Sequence, residues 1–248
     1  MPCTENDQTK TTKAGLMLEA LRAFNRKERH YVMETAVTGG SLALNAAFRE
    51  QLDEKLGLNV CEKAYVAMDY HLDWIAAAQH MATKGSSVSA ASSSSAYFRN
   101  HPNDRKNPLI CGNQRDTDLL VAYESEGRVV LIMIEAKADS KWCEEQIWSK
   151  AERLADIFQK RDSNRLVDPY FAFMGPTDGE SPAQNRFEEL PVSSQWIFSR
   201  GGKNIAYLCM DPPEVLYRPE RVRTQGQYHG FKIMKTKTFV FNESEAGE

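Results

Sequence analysis

The sequence predicts an α/β fold in which a mixed central β-sheet is flanked by helices. Residues 129–134 (VVLIMI) are apolar at every position, which is typical of a central strand covered on both faces. The chain before and after this run carries apolar residues at helical spacing. They are Leu44, Phe48, Leu52 and Leu56 before it, and Ile147, Ala151, Leu154 and Phe158 after it. A chain of 248 residues is long enough to bury the core of one large domain.

The overall charge argues against a protein that coats nucleic acid. The chain has 31 basic and 34 acidic residues and a formal net charge of -3. Any contact with nucleic acid must therefore use a local basic patch. Its polar N-terminus and its lack of a long apolar run predict no signal peptide and no membrane span.

The five cysteines are scattered, and no pair has Cys-x-x-Cys spacing. Neither a zinc ribbon nor a disulfide framework is therefore expected. Unpaired cysteines are typical of a reducing compartment, so the expected location is the cytoplasm.

The N-terminal part is predicted to form two helices, an extended segment and a third helix. The first helix covers about residues 13–36 and ends before Gly39-Gly40. The second begins after Ser41 as N-cap and stops at Gly57, which is a natural C-terminal stop. Residues 59–68 are predicted to be extended, and the third helix, capped by Asp69, runs to about Met81.

Two residues near the start of the third helix were weighed as site residues. His71 and Asp73 are two positions apart, so they do not share a helix face, and His71 is predicted to pack or cap. The Ser-rich segment 84–96 is predicted to be a flexible loop, because it can bury little apolar area.

The central segment is predicted to be a β-hairpin followed by a helix. Asp118 opens an apolar strand, residues 124–128 form the turn, and residues 129–137 form the second strand. Further apolar runs follow at residues 168–174, 195–199, 205–210 and 228–241. The last of these alternates in a way that suits a terminal strand or hairpin, and so predicts a C-terminal strand extension.

The charged end of the central strand is the candidate site. Glu135 and Lys137 are two apart and therefore point to the same face. The hairpin can place Asp118 next to Glu135, and a buried acid–base pair is costly unless it is partnered. Two carboxylates beside an ammonium make a hard-oxygen cation site, to which the carbonyl of Ala136 can add a ligand.

The helix after the strand carries a polar, basic face. Gln146, Lys150 and Arg153 recur at positions i, i+4 and i+7. This face is predicted to lie along a nucleic-acid backbone, with Lys150 and Arg153 as phosphate contacts and Gln146 near the active centre.

Asp118, a hairpin, Glu135-Ala136-Lys137 and a helix bearing Gln146 together resemble the PD-(D/E)xK nuclease superfamily. That resemblance implies a restriction-endonuclease-like core of a helix, three strands, a second helix and a fourth strand. It covers about residues 41–174, departs from the family in the long insert before Asp118, and has Thr117 where a proline is common. It implies that Glu50 is the third acid at the metal, with Asp73 as the reserve. Glu50 lies on the second predicted helix of this chain, which corresponds to the first helix of the family's core.

The resemblance also implies a function. Asp118, Glu135 and the carbonyl of Ala136 would hold Mg²⁺ or Mn²⁺, and Lys137 would act on the water or the phosphate. The expected activity is hydrolysis of phosphodiester bonds, with DNA as the substrate, by a single domain that spans residues 1–248 and has its core at about 41–210. By analogy with nucleases that cut two strands, a homodimer is expected. The alternative is a catalytically silent member that binds nucleic acid or a protein.

Overall fold

A computed structural model gives the architecture. It describes residues 12–93, 110–112, 115–138, 143–158, 165–176, 190, 192–198, 205–213, 215–224 and 227–238. The polar N-terminus lies outside the described residues.

The described chain begins with helices and ends with strands. The helices are α1 (Lys13–Phe24), α2 (Glu28–Met33), α3 (Ala46–Leu56), α4 (Leu72–Thr83), α5 (Val88–Ser93), α6 (Glu144–Phe158) and α7 (Val192–Phe198), and a π-helical turn (Glu34–Thr38) follows α2. The strands are β1 (Tyr65–His71), β2 (Asp116–Ser125), β3 (Arg128–Ala136), β4 (Val167–Pro176), β5 (Ala206–Met210), β6 (Val215–Thr224) and β7 (Gln227–Thr238).

The main sheet has five strands in the order β1-β2-β3-β4-β5. The first three form an antiparallel meander, whereas β4 lies parallel to β3 and β5 lies parallel to β4. The connection from β3 to β4 runs through α6, as a parallel connection requires. The mixed sheet flanked by helices that the sequence predicts is therefore confirmed.

Side chains of the central strands alternate between two apolar layers, one on each face of the sheet. Leu120, Leu131 and Phe173 belong to the larger layer, which contains the buried residues of α1, α4 and α6. Val121 and Ile132 belong to the smaller layer, which contains the buried residues of α3. Every residue from 129 to 134 is buried, so β3 is the doubly covered central strand that its composition indicates.

The predicted first helix is broken into two. Helix α1 ends at Phe24, and Asn25 then accepts a hydrogen bond from the backbone N–H of Lys27 through its side chain (3.1 Å). This local bond offers the backbone an alternative to the helix, as asparagine side chains often do. The chain resumes as α2 at Glu28.

The ends of the next two helices also differ in part from the sequence prediction. Asn45, not Ser41, caps α3 by accepting from the N–H of Phe48 (2.8 Å), while Gly57 ends it in the left-handed region as expected. His71, not Asp69, caps α4 by accepting from the N–H of Asp73 (3.2 Å). The capping role predicted for His71 is therefore confirmed.

The Ser-rich segment is not wholly a loop, because residues 88–93 form the short helix α5. The sequence predicts no disulfide framework, yet Cys61 is disulfide-bonded. Cys111, Cys143 and Cys209 are not in disulfide bonds. Among the described helices, none combines the length and apolar composition that crossing a membrane requires.

Candidate active site

Asp118 and Glu135 lie on neighbouring strands at one end of the sheet. The register pairs Leu119 with Ile134, so its continuation by one residue places Asp118 opposite Glu135. Residues opposite each other on an antiparallel pair share a face, with Cβ atoms about 4.5–5.5 Å apart. The Asp118 carboxylate is fixed in part by the N–H of Ala136, which donates to Oδ2 (2.7 Å). The two carboxylates that the sequence predicts to converge therefore do so.

Two lysines contact the same buried carboxylate. Lys137 directly follows the end of β3, and its Nζ is 3.6 Å from Oε1 of Glu135. Lys150 reaches from α6 and donates a short hydrogen bond to Oε2. Glu135 is buried, whereas the two lysine side chains keep some exposure. The Glu135–Lys137 pair that the sequence predicts is thus part of a larger cluster, which also contains Asp118 and Lys150.

The pKa of Glu135 is raised above its ordinary value, mainly because burial penalises the ionised form. The Lys150 ammonium opposes this effect and lowers the pKa, while the neighbouring Asp118 carboxylate raises it and Lys137 lowers it. Desolvation exceeds the help from the two lysines. The two lysines therefore do not fully offset the cost of burying the ionised Glu135 carboxylate.

Lys150 and Arg153 are not the solvent-facing phosphate contacts that the sequence predicts. Lys150 turns inward to Glu135. The Arg153 side chain is 2% exposed, and its Nη2 donates to Oδ1 of Asp73 (2.6 Å). A guanidinium buried in this way cannot reach a nucleic-acid backbone.

Asp73, the reserve third acid, is a structural anchor. Besides the bond from Arg153, its Oδ2 accepts the backbone N–H groups of Cys111 (2.9 Å) and Gly112 (2.8 Å). A carboxylate with three donors on it is held in place and has little capacity left for a metal ion. The ion pair joins α4 to α6.

Glu50 is not brought to the site. It is exposed on α3, whose buried Leu52 and Leu56 pack on the opposite face of the sheet. The neighbouring Gln51 accepts the N–H of Cys209 (2.6 Å), which fixes α3 beside β5. The four-residue apolar stripe predicts the helix correctly, but it cannot show which face of the sheet the helix covers.

Gln146 is exposed near the start of α6, one turn before Lys150. Helix α6 follows β3 and returns antiparallel to it, so its first turn lies at the end of the sheet that carries Glu135. Gln146 therefore lies at the same end of the sheet as Glu135, but no contact among the described residues gives it a direct role at the site.

Tyr207 and Gly175 border the site and were not found from the sequence. A Cβ at Gly175 would overlap the Tyr207 hydroxyl and lie 3.2 Å from the carbonyl oxygen of Lys137. The Tyr207 hydroxyl donates to the carbonyl of Pro176 (3.1 Å). Only glycine allows the tyrosine to cross β4 beside Lys137, and no local sequence pattern indicates this packing.

A second missed group lies beside the acids, on β2. Asp116 precedes Asp118 by two residues, and its Oδ2 is 2.5 Å from Nζ of Lys27. Its Oδ1 lies 3.9 Å from Nε2 of His71. Lys27 follows the unpredicted break after α1, so its approach could not be anticipated from a continuous helix.

The site offers a divalent cation a small set of oxygen donors. Among the described residues, no group of three or more His, Cys, Asp and Glu side chains converges closely enough to hold a metal ion. Asp118 and Glu135 supply two carboxylates, and Mg²⁺ is often bound through one or two carboxylates while it keeps several waters. The residues present therefore fit a hard, partly hydrated cation and do not fit a closed protein cage.

Comparison with protein-family models, curated proteins and solved structures found no match to this chain. The site therefore has to be interpreted from its own geometry.

Proposed function

We propose that this chain is a Mg²⁺- or Mn²⁺-dependent nuclease with a restriction-endonuclease-like core, which hydrolyses phosphodiester bonds of nucleic acid, with DNA as the substrate. The observation that carries the proposal is the buried Glu135 carboxylate, set opposite Asp118 and contacted by Lys137 and Lys150. Four ionisable groups at the end of a central strand are expensive to desolvate, and they are a frequent mark of function.

The strand order also supports the proposal. A three-stranded meander, a crossover helix and a parallel fourth strand follow in the order that the resemblance implies. Helix α3 differs, because it covers the face away from the acids.

Asp118 and Glu135 would hold the cation, and the carbonyl of Ala136 could add a backbone ligand. When bound, a divalent cation lowers the pKa of an attached water and offsets charge on the phosphate. Lys137 can orient the attacking water or stabilise negative charge that develops on the phosphoryl oxygens. Lys150 keeps the charge of Glu135 compensated, and Tyr207 closes the side of the site over β4.

One observation favours a second candidate, a catalytically silent member that binds nucleic acid or a protein. The Lys150 ammonium already contacts Glu135, and within the described residues no third acid joins Asp118 and Glu135 closely enough to hold a metal ion. A site that keeps its lysine counterion in place of a metal would bind without cutting.

The test is a cleavage assay on plasmid, single-stranded DNA, branched DNA and RNA, with Mg²⁺, Mn²⁺ or EDTA. Glu135→Gln and Lys137→Met are expected to lower the rate by about a hundredfold to a thousandfold, the range for loss of one charge-stabilising group. The matched control is Glu126→Gln, which removes an exposed carboxylate at the opposite end of the β2–β3 hairpin.

Wild-type cleavage that needs the metal, is kept by Glu126→Gln and is lost in the two site variants would support the nuclease. Cleavage that persists unchanged in Glu135→Gln would contradict it. Metal-independent binding with no cleavage of any substrate by the wild type would favour the silent member.

A further inference from the structure

Strands β6 and β7 form a separate two-stranded sheet with an unusual charge. Residues 215–238 carry six basic residues and one acidic residue, a formal charge of +5. The rest of the chain carries 25 basic and 33 acidic residues, a formal charge of -8. The local basic patch that a near-neutral nucleic-acid-binding protein needs is therefore concentrated on this hairpin.

One face of the hairpin combines aromatic and basic residues. The register pairs Tyr217 with Lys235, Pro219 with Ile233, and Arg221 with Phe231. Because opposite residues share a face, and positions two apart do so too, these six side chains lie on one face. We call it the aromatic-basic face.

The apolar side chains of the aromatic-basic face are open to solvent. Tyr217 is 64% exposed, Phe231 is 69% exposed and Ile233 is 58% exposed. Arg221 and Lys235 beside them are also exposed. Scattered exposed apolar residues are ordinary, but a row of three on one small sheet marks a binding surface.

The other face of the hairpin is different in kind. Arg218 and Lys232 both lie near the Glu220 carboxylate, at 2.6 Å and 3.7 Å, and hydrogen bonding from Arg218 lowers the pKa of Glu220. Its charges are partly neutralised within the hairpin. The hairpin therefore carries arginine and lysine side chains on both faces, but exposed aromatic rings on the aromatic-basic face.

The positive charge and the exposed aromatic rings of this face both suit binding of a nucleic-acid strand. A positive surface attracts a polyanion, and exposed aromatic rings provide platforms on which unpaired bases stack. A paired duplex hides its base faces, so it would leave Tyr217 and Phe231 unused. Edge pairing with another copy is disfavoured on β6, because Pro219 has no N–H to donate to a ladder.

We propose that the aromatic-basic face binds single-stranded nucleic acid, with bases stacked on Tyr217 and Phe231 and phosphates held by Arg221 and Lys235. The inference deepens the proposed function, because it names the strand state of the nucleic acid that the chain engages, and it rests on that function for the role of the contact. Binding itself needs no metal and no cleavage.

The test measures binding of a fluorescent oligothymidine to the full chain in EDTA, by anisotropy over a range of salt concentrations. Tyr217→Leu combined with Phe231→Leu keeps apolar bulk but removes the rings, and it should weaken binding by at least about tenfold. Arg221→Gln should lower the slope of log affinity against log salt by about 0.7, the value for one phosphate contact on a single strand. Arg218→Gln, the same change on the other face, should leave the slope unchanged.

The proposal is overturned if the wild type does not bind, if the double leucine variant binds like the wild type, or if the two arginine variants change the slope equally. Tighter binding of a duplex of the same length would overturn the single-stranded occupant. Sedimentation of the same proteins tests a second copy: a dimer that the leucine variants dissociate, with unchanged oligothymidine binding, also overturns the proposal.

These outcomes are separate from those of the cleavage assay. Oligothymidine binding that depends on Tyr217 and Phe231, without cleavage by the wild type, would reject the nuclease and keep the hairpin contact. Cleavage that depends on Glu135, with no effect of the hairpin variants on binding, would support the nuclease and reject the hairpin contact.

Discussion

Two basic side chains of α6, three residues apart, each pair with a buried carboxylate. The two clusters differ in how completely the carboxylate is hydrogen-bonded and in how exposed the basic side chains are. Arg153 pairs with Asp73, and two backbone N–H groups donate hydrogen bonds to the same carboxylate. Lys150 pairs with Glu135, which also faces Lys137 and Asp118. The first cluster has three hydrogen bonds on one acid, whereas the second has two acids and two bases that compensate one another incompletely.

The exposures show the same difference. The side chains of Arg153 and Asp73 are 2% and 5% exposed, while those of Lys150 and Lys137 are 16% and 23% exposed. The Asp73 cluster is closed to solvent, whereas the Glu135 cluster is partly open to it. A buried charge that is fully hydrogen-bonded holds elements together, whereas one with a raised pKa and an open side is a candidate site.

The largest stability effect should come from breaking the sealed cluster. Arg153→Met leaves Asp73 buried without its guanidinium and should lower the free energy of unfolding by about 3–5 kcal/mol. Chemical denaturation measures this change. Arg29→Gln is the control, because it breaks an ion pair with Asp69 in which Arg29 is mostly exposed, and it should cost less than about 1 kcal/mol. Equal losses in the two variants would refute the distinction.

A smaller stability loss is expected from Lys150→Met. The variant leaves Glu135 with Lys137 as its remaining ammonium, so unfolding should become easier by about 1–3 kcal/mol, the usual cost of leaving one buried polar group unsatisfied. The cost is below that for Arg153 because Glu135 can take up a proton. The pKa of Glu135 should rise further, which carboxyl-resolved NMR would measure. An unchanged or lower pKa would show that Lys150 does not stabilise the ionised form.

The smallest expected effect is a pH dependence of stability. Burial raises the folded-state pKa of Glu135 above its unfolded value, so the folded state favours the protonated carboxyl. The stabilising contribution is present below the unfolded pKa, near 4.5, and is lost as pH rises through the raised folded-state pKa. The free energy of unfolding of the wild type, minus that of Glu135→Gln, should therefore fall across this window. A difference that rises with pH would mean that the lysines outweigh desolvation.

The central strand and the acids beside it could be predicted because they depend on local patterns. Strand β3 is apolar throughout, and the hairpin turn fixes which residue faces Glu135. The direction of the polar residues of α6 could not be predicted in the same way. The polar residues of α6 look solvent-facing in the sequence, yet Lys150 and Arg153 turn inward because buried acids on β3 and α4 attract them.

Other features depend on contacts between distant parts of the chain. The side of the sheet that α3 covers is set partly by the bonds of Gln51 to β5, over a hundred residues away. The place of Tyr207 is set by a missing side chain at Gly175. Strand β6 contains Pro219 and alternates charged with apolar residues only in part, so it is recognised only through its pairing with β7.

We propose that the Glu135 cluster performs the chemistry, whereas the Asp73 cluster only supports the fold. The most direct test compares Mg²⁺-dependent DNA cleavage by wild type, Glu135→Gln and Arg153→Met, each at a temperature where circular dichroism shows it folded. We expect Glu135→Gln to keep its fold and to lose cleavage by at least about a hundredfold, while folded Arg153→Met still cleaves. Cleavage by Glu135→Gln at the wild-type rate, or its loss only in Arg153→Met, would show that the Glu135 cluster is not the site of cleavage.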